Sequence, residues 1–150
     1  MSDVGLTHIA LLVGDLDASV AFYAKYARME IVHQRTDGHS RVAWVSDRTR
    51  PFVIVLIEVP SIVPRPLLRL GNTLVRKLAP FEHMGVGCAS REDLDRLCEQ
   101  AKADGCLTRG PKDAGPPVGY WAFLTDPDGH TLELSYGQEV GLTVDHVRSA

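Results

Sequence analysis

Disulfide chemistry has little to work with in this chain. Its 150 residues include three cysteines, Cys88, Cys98 and Cys106, an odd number with no Cys-x-x-Cys pair. That is the usage of reduced thiols in a cytoplasmic protein, not of a disulfide scaffold. Long apolar runs are also missing. The longest, Phe52 to Ile57, falls far short of the ~20 residues that a membrane span needs. The start, Met1-Ser2-Asp3-Val4-Gly5, has no basic residue leading into an apolar core, so no signal peptide is expected. Nor is there an excess of positive charge: 16 Lys and Arg face 19 Asp and Glu, for a net charge of -3. This argues against nucleic acid or an anionic membrane as the main partner. What is present, 45% hydrophobic and 23% charged residues, is the balance of an ordinary globular protein. A chain of this length buries about two-thirds of its unfolded surface without needing disulfides. These exclusions leave an intracellular domain whose partner is a small molecule.

The chain repeats itself. Gly5-Leu6-Thr7-His8-Ile9-Ala10-Leu11-Leu12-Val13 is an apolar run carrying one histidine, and Phe81-Glu82-His83-Met84-Gly85-Val86-Gly87-Cys88 has the same form. Each run leads into an amphipathic helix. The first, about Leu16 to Ala27, places Leu16, Val20, Tyr23 and Ala27 on one face behind an Asp15 N-cap. The second opens with Ser90-x-x-Asp93, stacks Leu94, Leu97, Cys98 and Ala101, and stops at Gly105. Strands 42–47 and 121–126 then correspond, as do 52–58 and 131–135, each of the last pair carrying one glutamate. His8 precedes Glu58 by 50 residues, and His83 precedes Glu133 by the same interval. The reading is an α+β chain of two β-α-β-β-β modules, about 5–60 and 79–137. A Pro-punctuated connector at 61–78 joins them, and a tail follows from 138 to 150.

A glutamate inside an apolar strand is costly unless it is paired or bound. Glu58 closes six apolar residues and Glu133 lies between Leu132 and Leu134. Two neutral imidazoles and two carboxylates at repeated positions neutralise one divalent cation and remove that cost. Mixed nitrogen and oxygen donors suit Zn, Ni, Co, Fe or Mn better than Ca or Mg. Expected ligands are therefore His8, Glu58, His83 and Glu133; the alternative is that His8 and Glu58 pair with each other as relics of the duplication.

The two modules, this residue set and the stretch Phe123-Leu124-Thr125-Asp126-Pro127-Asp128-Gly129-His130-Thr131-Leu132-Glu133 resemble the vicinal-oxygen-chelate superfamily. That group comprises glyoxalases, bleomycin-resistance proteins and extradiol dioxygenases, and the likeness covers about 5–137. The resemblance implies a cup of two four-stranded sheets with one metal ion at its floor, a substrate chelated through vicinal oxygens, and a homodimer. Glutamate at both fourth-strand positions resembles glyoxalase I, whose chemistry is proton transfer next to a carbonyl. That branch commonly carries an arginine where Leu12 stands, so the glutathione hemithioacetal is not the expected substrate. The extradiol branch places a tyrosine three residues before Asp-Pro, where this chain has Phe123; two His and one Glu suffice for its iron. Antibiotic binding or resistance is the remaining alternative. The expected activity is thus that of a metal-dependent lyase or isomerase of glyoxalase type.

Strand alternation puts Ala10 and Leu12 beside His8, Gly85 and Gly87 beside His83, and Leu56 and Ile54 beside Glu58. Trp44 and Phe123 correspond under the repeat, as do Val42 and Trp121. Leu12, Trp44, Trp121 and Phe123 are therefore the expected substrate contacts, unless the aromatics are ordinary core. Glu58, one residue before Val59-Pro60, is expected to be the mobile catalytic base, with Glu133 as the permanent ligand. The connector carries Arg65, Arg69, Arg76 and Lys77 without an acid, which fits a substrate anion, a solvated helix face or a subunit contact. The Gly- and Pro-rich stretch 108–119 is expected to form a lid. His33, His39 and His130 lie beside turn residues and are expected at the surface.

Overall fold

Asp15 stands in extended backbone and its carboxylate accepts the N–H of Ala18 at 3.1 Å, which starts α1 (Leu16–Ala27). The helix buries Leu16, Ser19, Phe22, Tyr23, Tyr26 and Ala27, while Val20 sits at the rim. The helix of the other module, α2 (Arg91–Ala103), is capped by Ser90, whose hydroxyl accepts the N–H of Asp93 at 3.1 Å. It buries Leu94, Leu97, Cys98 and Ala101, and the chain turns away at Gly105 with φ +72°. Both helices therefore follow from their caps and apolar spacing.

The computed structural model describes residues 8–37, 40–59, 66–67, 69–71, 74, 83–116 and 118–138. His39, most of the connector (Arg65, Arg76 and Lys77 among it) and the tail from 139 lie outside the described residues. Eight strands are formed among the described residues: β1 (His8–Val13), β2 (Glu30–Asp37), β3 (Ser40–Ser46), β4 (Val53–Glu58), β5 (Met84–Gly87), β6 (Leu107–Asp113), β7 (Tyr120–Thr125) and β8 (Thr131–Tyr136). They make two four-stranded sheets in the orders β1-β4-β3-β2 and β5-β8-β7-β6. In each sheet the first pair is parallel and the other two are antiparallel. This is the duplicated β-α-β-β-β arrangement of the α+β class. The chain divides into two compact units, Met1–Pro80 with Asp126–His130, and Phe81–Thr125 with Thr131–Ala150.

Each sheet is covered on one face by its own helix. In the first unit Val13, Ala43, Val45, Ile54 and Leu56 are at most 2% exposed and form the core with α1. In the second, Ala122, Leu124, Leu132 and Leu134 are fully buried and form the core with α2. Burial of this apolar area is the main stabilising term. Among the described residues no helix is long and apolar enough to cross a membrane.

The stretch expected to be a lid is instead mostly strand. Residues 107–113 pair with β7, and 114–116, 118 and 119 lie outside the strands, with the N–H of Ala114 on the Gly119 carbonyl at 3.0 Å. Gly110 and Pro111 do not break the strand because its register shifts there, absorbing the irregular backbone in a bulge.

Candidate active site

In the second unit, His83 precedes β5 and Glu133 lies in the middle of β8. Gly85 and Glu133 are register partners in a parallel pair, and His83 is two residues before Gly85, so both side chains emerge on the face away from α2. They meet: His83 Nε2 lies 2.7 Å from Glu133 Oε2. Glu133 is only 5% exposed. Burial holds its carboxyl above the usual carboxylate range, and His83 pulls it part of the way back. Its other oxygen has a long contact from Gln138 Nε2 at 3.5 Å. Phe123, the cross-strand partner of Glu133, rests 5.0 Å from the His83 ring and 4.7 Å from the Trp121 ring, centroid to centroid. A Cβ added at Gly85 or Gly87 would meet nothing within 4 Å, so the face is open at these glycines. The expected grouping of His83, Glu133, Phe123 and Trp121 is present in this unit.

The first unit differs in one decisive respect. His8 pairs with Val53 in the β1–β4 ladder, an offset of 45 residues, whereas Met84 pairs with Leu132, an offset of 48. Equal 50-residue spacings therefore end in different places. Glu133 shares the face of His83, but Glu58 pairs with Val13 at the far end of β1 and points to the opposite face from His8. The counterpart of Glu133 is Val55, which opposes Trp44 as Glu133 opposes Phe123. His8, Leu12 and Trp44 do share one face, with Leu12 51% and Trp44 39% exposed. Trp44 packs edge-on against His33 at 5.1 Å.

Glu58 has other work. Its Oε1 accepts the N–H of Leu16, the first residue of α1, at 3.0 Å, and Arg41 grips both oxygens at 2.8 and 2.9 Å. Arg41 also reaches Asp17 at 3.1 Å. A carboxylate at a helix N-terminus clamped by a guanidinium fork is a structural tie. This corrects two expectations: Glu58 is not the register counterpart of Glu133, and its end of β4 is anchored, not loose. Within each unit, among the described residues, no three His, Cys, Asp or Glu side chains gather as a metal-binding group.

The turn at 126–130 has a role that its sequence reading as a mere turn did not reach. It belongs with the first unit. Asp126, 3% exposed, accepts the N–H groups of Asp128 and His130 at 2.9 and 2.8 Å and the Tyr23 hydroxyl at 3.1 Å. Asp128 accepts the Gly14 N–H at 2.8 Å and the Ser19 hydroxyl at 3.2 Å. His130 Nε2 lies 3.0 Å from the Leu12 carbonyl oxygen. Two carboxylates in a Pro- and Gly-bounded turn, each flanked by apolar strands, were the available signal.

The sequence family described as the Glyoxalase/Bleomycin resistance protein/Dioxygenase superfamily matches residues 5–134. Among relatives, the uncharacterized protein PA2024 of Pseudomonas aeruginosa is 36% identical over 136 residues, 91% of each chain. A probable lactoylglutathione lyase of Vibrio parahaemolyticus is 32% identical, over 89% of this chain and 91% of that one. Among solved structures, the fosfomycin resistance protein FosX of Listeria monocytogenes, crystallised with Mn(II), is similar with a TM-score of 0.65 and 22% identity. It aligns over 95% of this chain and 98% of its own. With the duplicated topology, these matches make the chain a member of the Glyoxalase/Bleomycin resistance protein/Dioxygenase superfamily.

Proposed function

We propose that the chain is a metal-dependent lyase or isomerase that binds a small substrate through neighbouring oxygens, and that its metal ligands are His8, His83 and Glu133. The observation that carries this reading is the His83–Glu133 pair, nitrogen to oxygen at 2.7 Å, on a face floored by glycine and lined by Phe123 and Trp121. A buried carboxylate beside an imidazole is a fitting donor pair for a divalent cation of the Zn, Ni, Co, Fe or Mn kind. His8 is the histidine at the matching strand of the other module, supplied by the same chain or by a second copy. When bound, the metal would polarise a carbonyl and acidify the adjacent C–H.

The chain's own residues supply the rest. Glu133 is the carboxylate on this face beside the aromatic pair, the group placed to carry a proton between carbon atoms of the substrate. Phe123 and Trp121 seat an apolar body and keep water from it. With Leu12 in place of a cation, the glutathione adduct is not the favoured substrate. A second reading rests on Val55: a set of two His and one Glu is also sufficient for ring-cleaving oxygenation, although Phe123 offers no hydrogen bond to a catecholate.

The test is elemental analysis of purified protein, then reloading with each metal and assay on α-ketoaldehydes with several thiols and on catechols. His83→Ala and Glu133→Gln are expected to lose metal, and Glu58→Gln to keep it. Metal retained by His83→Ala would overturn the ligand set, and turnover of catechols alone would replace the reaction. The chain is further proposed to act in the cytoplasm as a homodimer, since each sheet ends in edge strands that a symmetric partner would protect. A monomer by light scattering at micromolar concentration would refute the dimer.

A further inference from the structure

Strand β6 is phased by two bulges. Leu107 pairs with Leu124 but Arg109 pairs with Phe123, and three residues later Lys112 pairs with Trp121. Without the shifts, Arg109 and Lys112, an odd number apart, would point to opposite faces. With them, both point the way Phe123 and Trp121 do, away from α2. The bulge between them depends on Gly110: its φ is +92°, and a Cβ there would lie 2.8 Å from the Trp121 carbonyl oxygen and 2.9 Å from Ala122 Cα. Beyond Lys112 the strand returns to the helix side, where Asp113 meets Arg91.

Two cross-strand rows result, Arg109-Phe123-Glu133-Gly85 and Lys112-Trp121-Ser135-Gly87. Each runs from a cation over an aromatic ring to the middle of the sheet. The side chains of Arg109 and Lys112 are exposed and make no ion pair or hydrogen bond among the described residues, unlike those of Arg41, Arg48, Arg91 and Arg96. Among the described residues the carboxylate on this face is Glu133, already held by His83. Arg109 and Glu133 flank Phe123, so their Cα atoms stand about 10 Å apart, two strand spacings. A small amphiphile fits that span.

We infer that Arg109 and Lys112 form an oxyanion-recognising end of the substrate site, selecting molecules with an apolar body and a terminal carboxylate or phosphonate. This rests on the reading of the His83–Glu133 face as the active site. The guanidinium fork would take two oxygens and the ammonium a third, while the body lies on Phe123 and Trp121.

The experiment uses full-length protein carrying Trp44→Phe, so that Trp121 is the sole tryptophan. Its fluorescence is titrated with phenylphosphonate, phenylacetate and the neutral 2-phenylethanol, at fixed ionic strength, with and without Mn(II). Both anions, or one of them, are expected to bind at least tenfold tighter than the alcohol, and the preferred one names the headgroup. Arg109→Gln and Lys112→Gln should each weaken that anion at least fivefold and leave the alcohol within twofold, with Arg109→Lys recovering part of the loss. Equal binding of anions and alcohol, or a double variant that binds anions as well as its parent, would overturn the inference. Metal content of His83→Ala is measured in parallel. Anion selectivity that persists while His83→Ala retains metal would sink the ligand reading and leave the oxyanion end standing.

Discussion

Arg41 and Glu58 form a two-point pair, Nε to Oε2 at 2.8 Å and Nη2 to Oε1 at 2.9 Å, directly over the first N–H of α1. The pair fastens β3 and β4 to the start of a helix. Glu58→Gln keeps an acceptor for Leu16 but loses the charge that both the guanidinium and the helix terminus favour. It should lower the melting temperature by about 3–6 °C and leave bound metal unchanged. Calorimetry with elemental analysis of the same sample reads both, and loss of metal with no change in melting would restore Glu58 as a ligand.

Asp128 accepts from two donors far away in sequence, the Gly14 N–H and the Ser19 hydroxyl. Asp128→Ala leaves both without that acceptor in a buried setting and should cost about 2–4 kcal/mol. Asp128→Asn, which keeps one oxygen, should cost less than half as much. Urea unfolding of the three proteins decides, and an alanine variant within 0.5 kcal/mol of the parent, on the order of a surface change, would deny the turn its role.

Alkaline conditions should loosen the protein from the inside. Burial pushes the Cys98 thiol up to about 11 and, with Asp126 beside it, raises the Tyr23 hydroxyl well above its ordinary value. Both groups are favoured in their protonated forms by folding. Their contribution is complete below the unfolded thiol value of about 8.5 and is lost as pH climbs through the folded values. The urea midpoint should fall between pH 8.5 and about 11, and Cys98→Ala should flatten the early part of that fall. In native protein at pH 8, Cys98 should also resist a thiol reagent that modifies it after unfolding.

Gly110→Ala tests the bulge directly. The new methyl would collide with the Trp121 carbonyl and Ala122 Cα in a backbone region that alanine avoids. A loss of about 2–3 kcal/mol is expected, together with altered Trp121 fluorescence as β6 shifts against β7. An unperturbed emission spectrum and unfolding midpoint would show that the bulge tolerates a side chain.

Much of this architecture could be read from the chain. Asp15, Ser90 and the apolar spacing of both helices specify their ends and buried faces, and the repeated His-bearing run predicts two modules of like element order. The site was legible only in the second half. There the interval from His83 to Glu133 and the ladder offset differ by an even number, so both residues share a face. In the first half the β2–β3 connection is shorter than its counterpart, the ladder offset is smaller by three, and the same interval carries Glu58 to the opposite face. Spacing along a sequence does not reveal the parity of a ladder. Arg109 and Lys112 were hidden for a similar reason, because Gly110 and Pro111 disguise a strand whose bulges alone bring them together.

The turn of residues 126–130 also bears on how the chain is completed as it is made. Gly14, Ser19 and Tyr23 leave the ribosome more than 100 positions ahead of the carboxylates that accept their hydrogen bonds. Until Asp126 and Asp128 emerge, the amino-terminal half carries its helix and sheet but lacks the acceptors that those three groups use. A nascent chain halted before residue 126 would therefore hold this first unit in a looser, protease-sensitive form, and synthesis of the turn at 126–130 would tighten it.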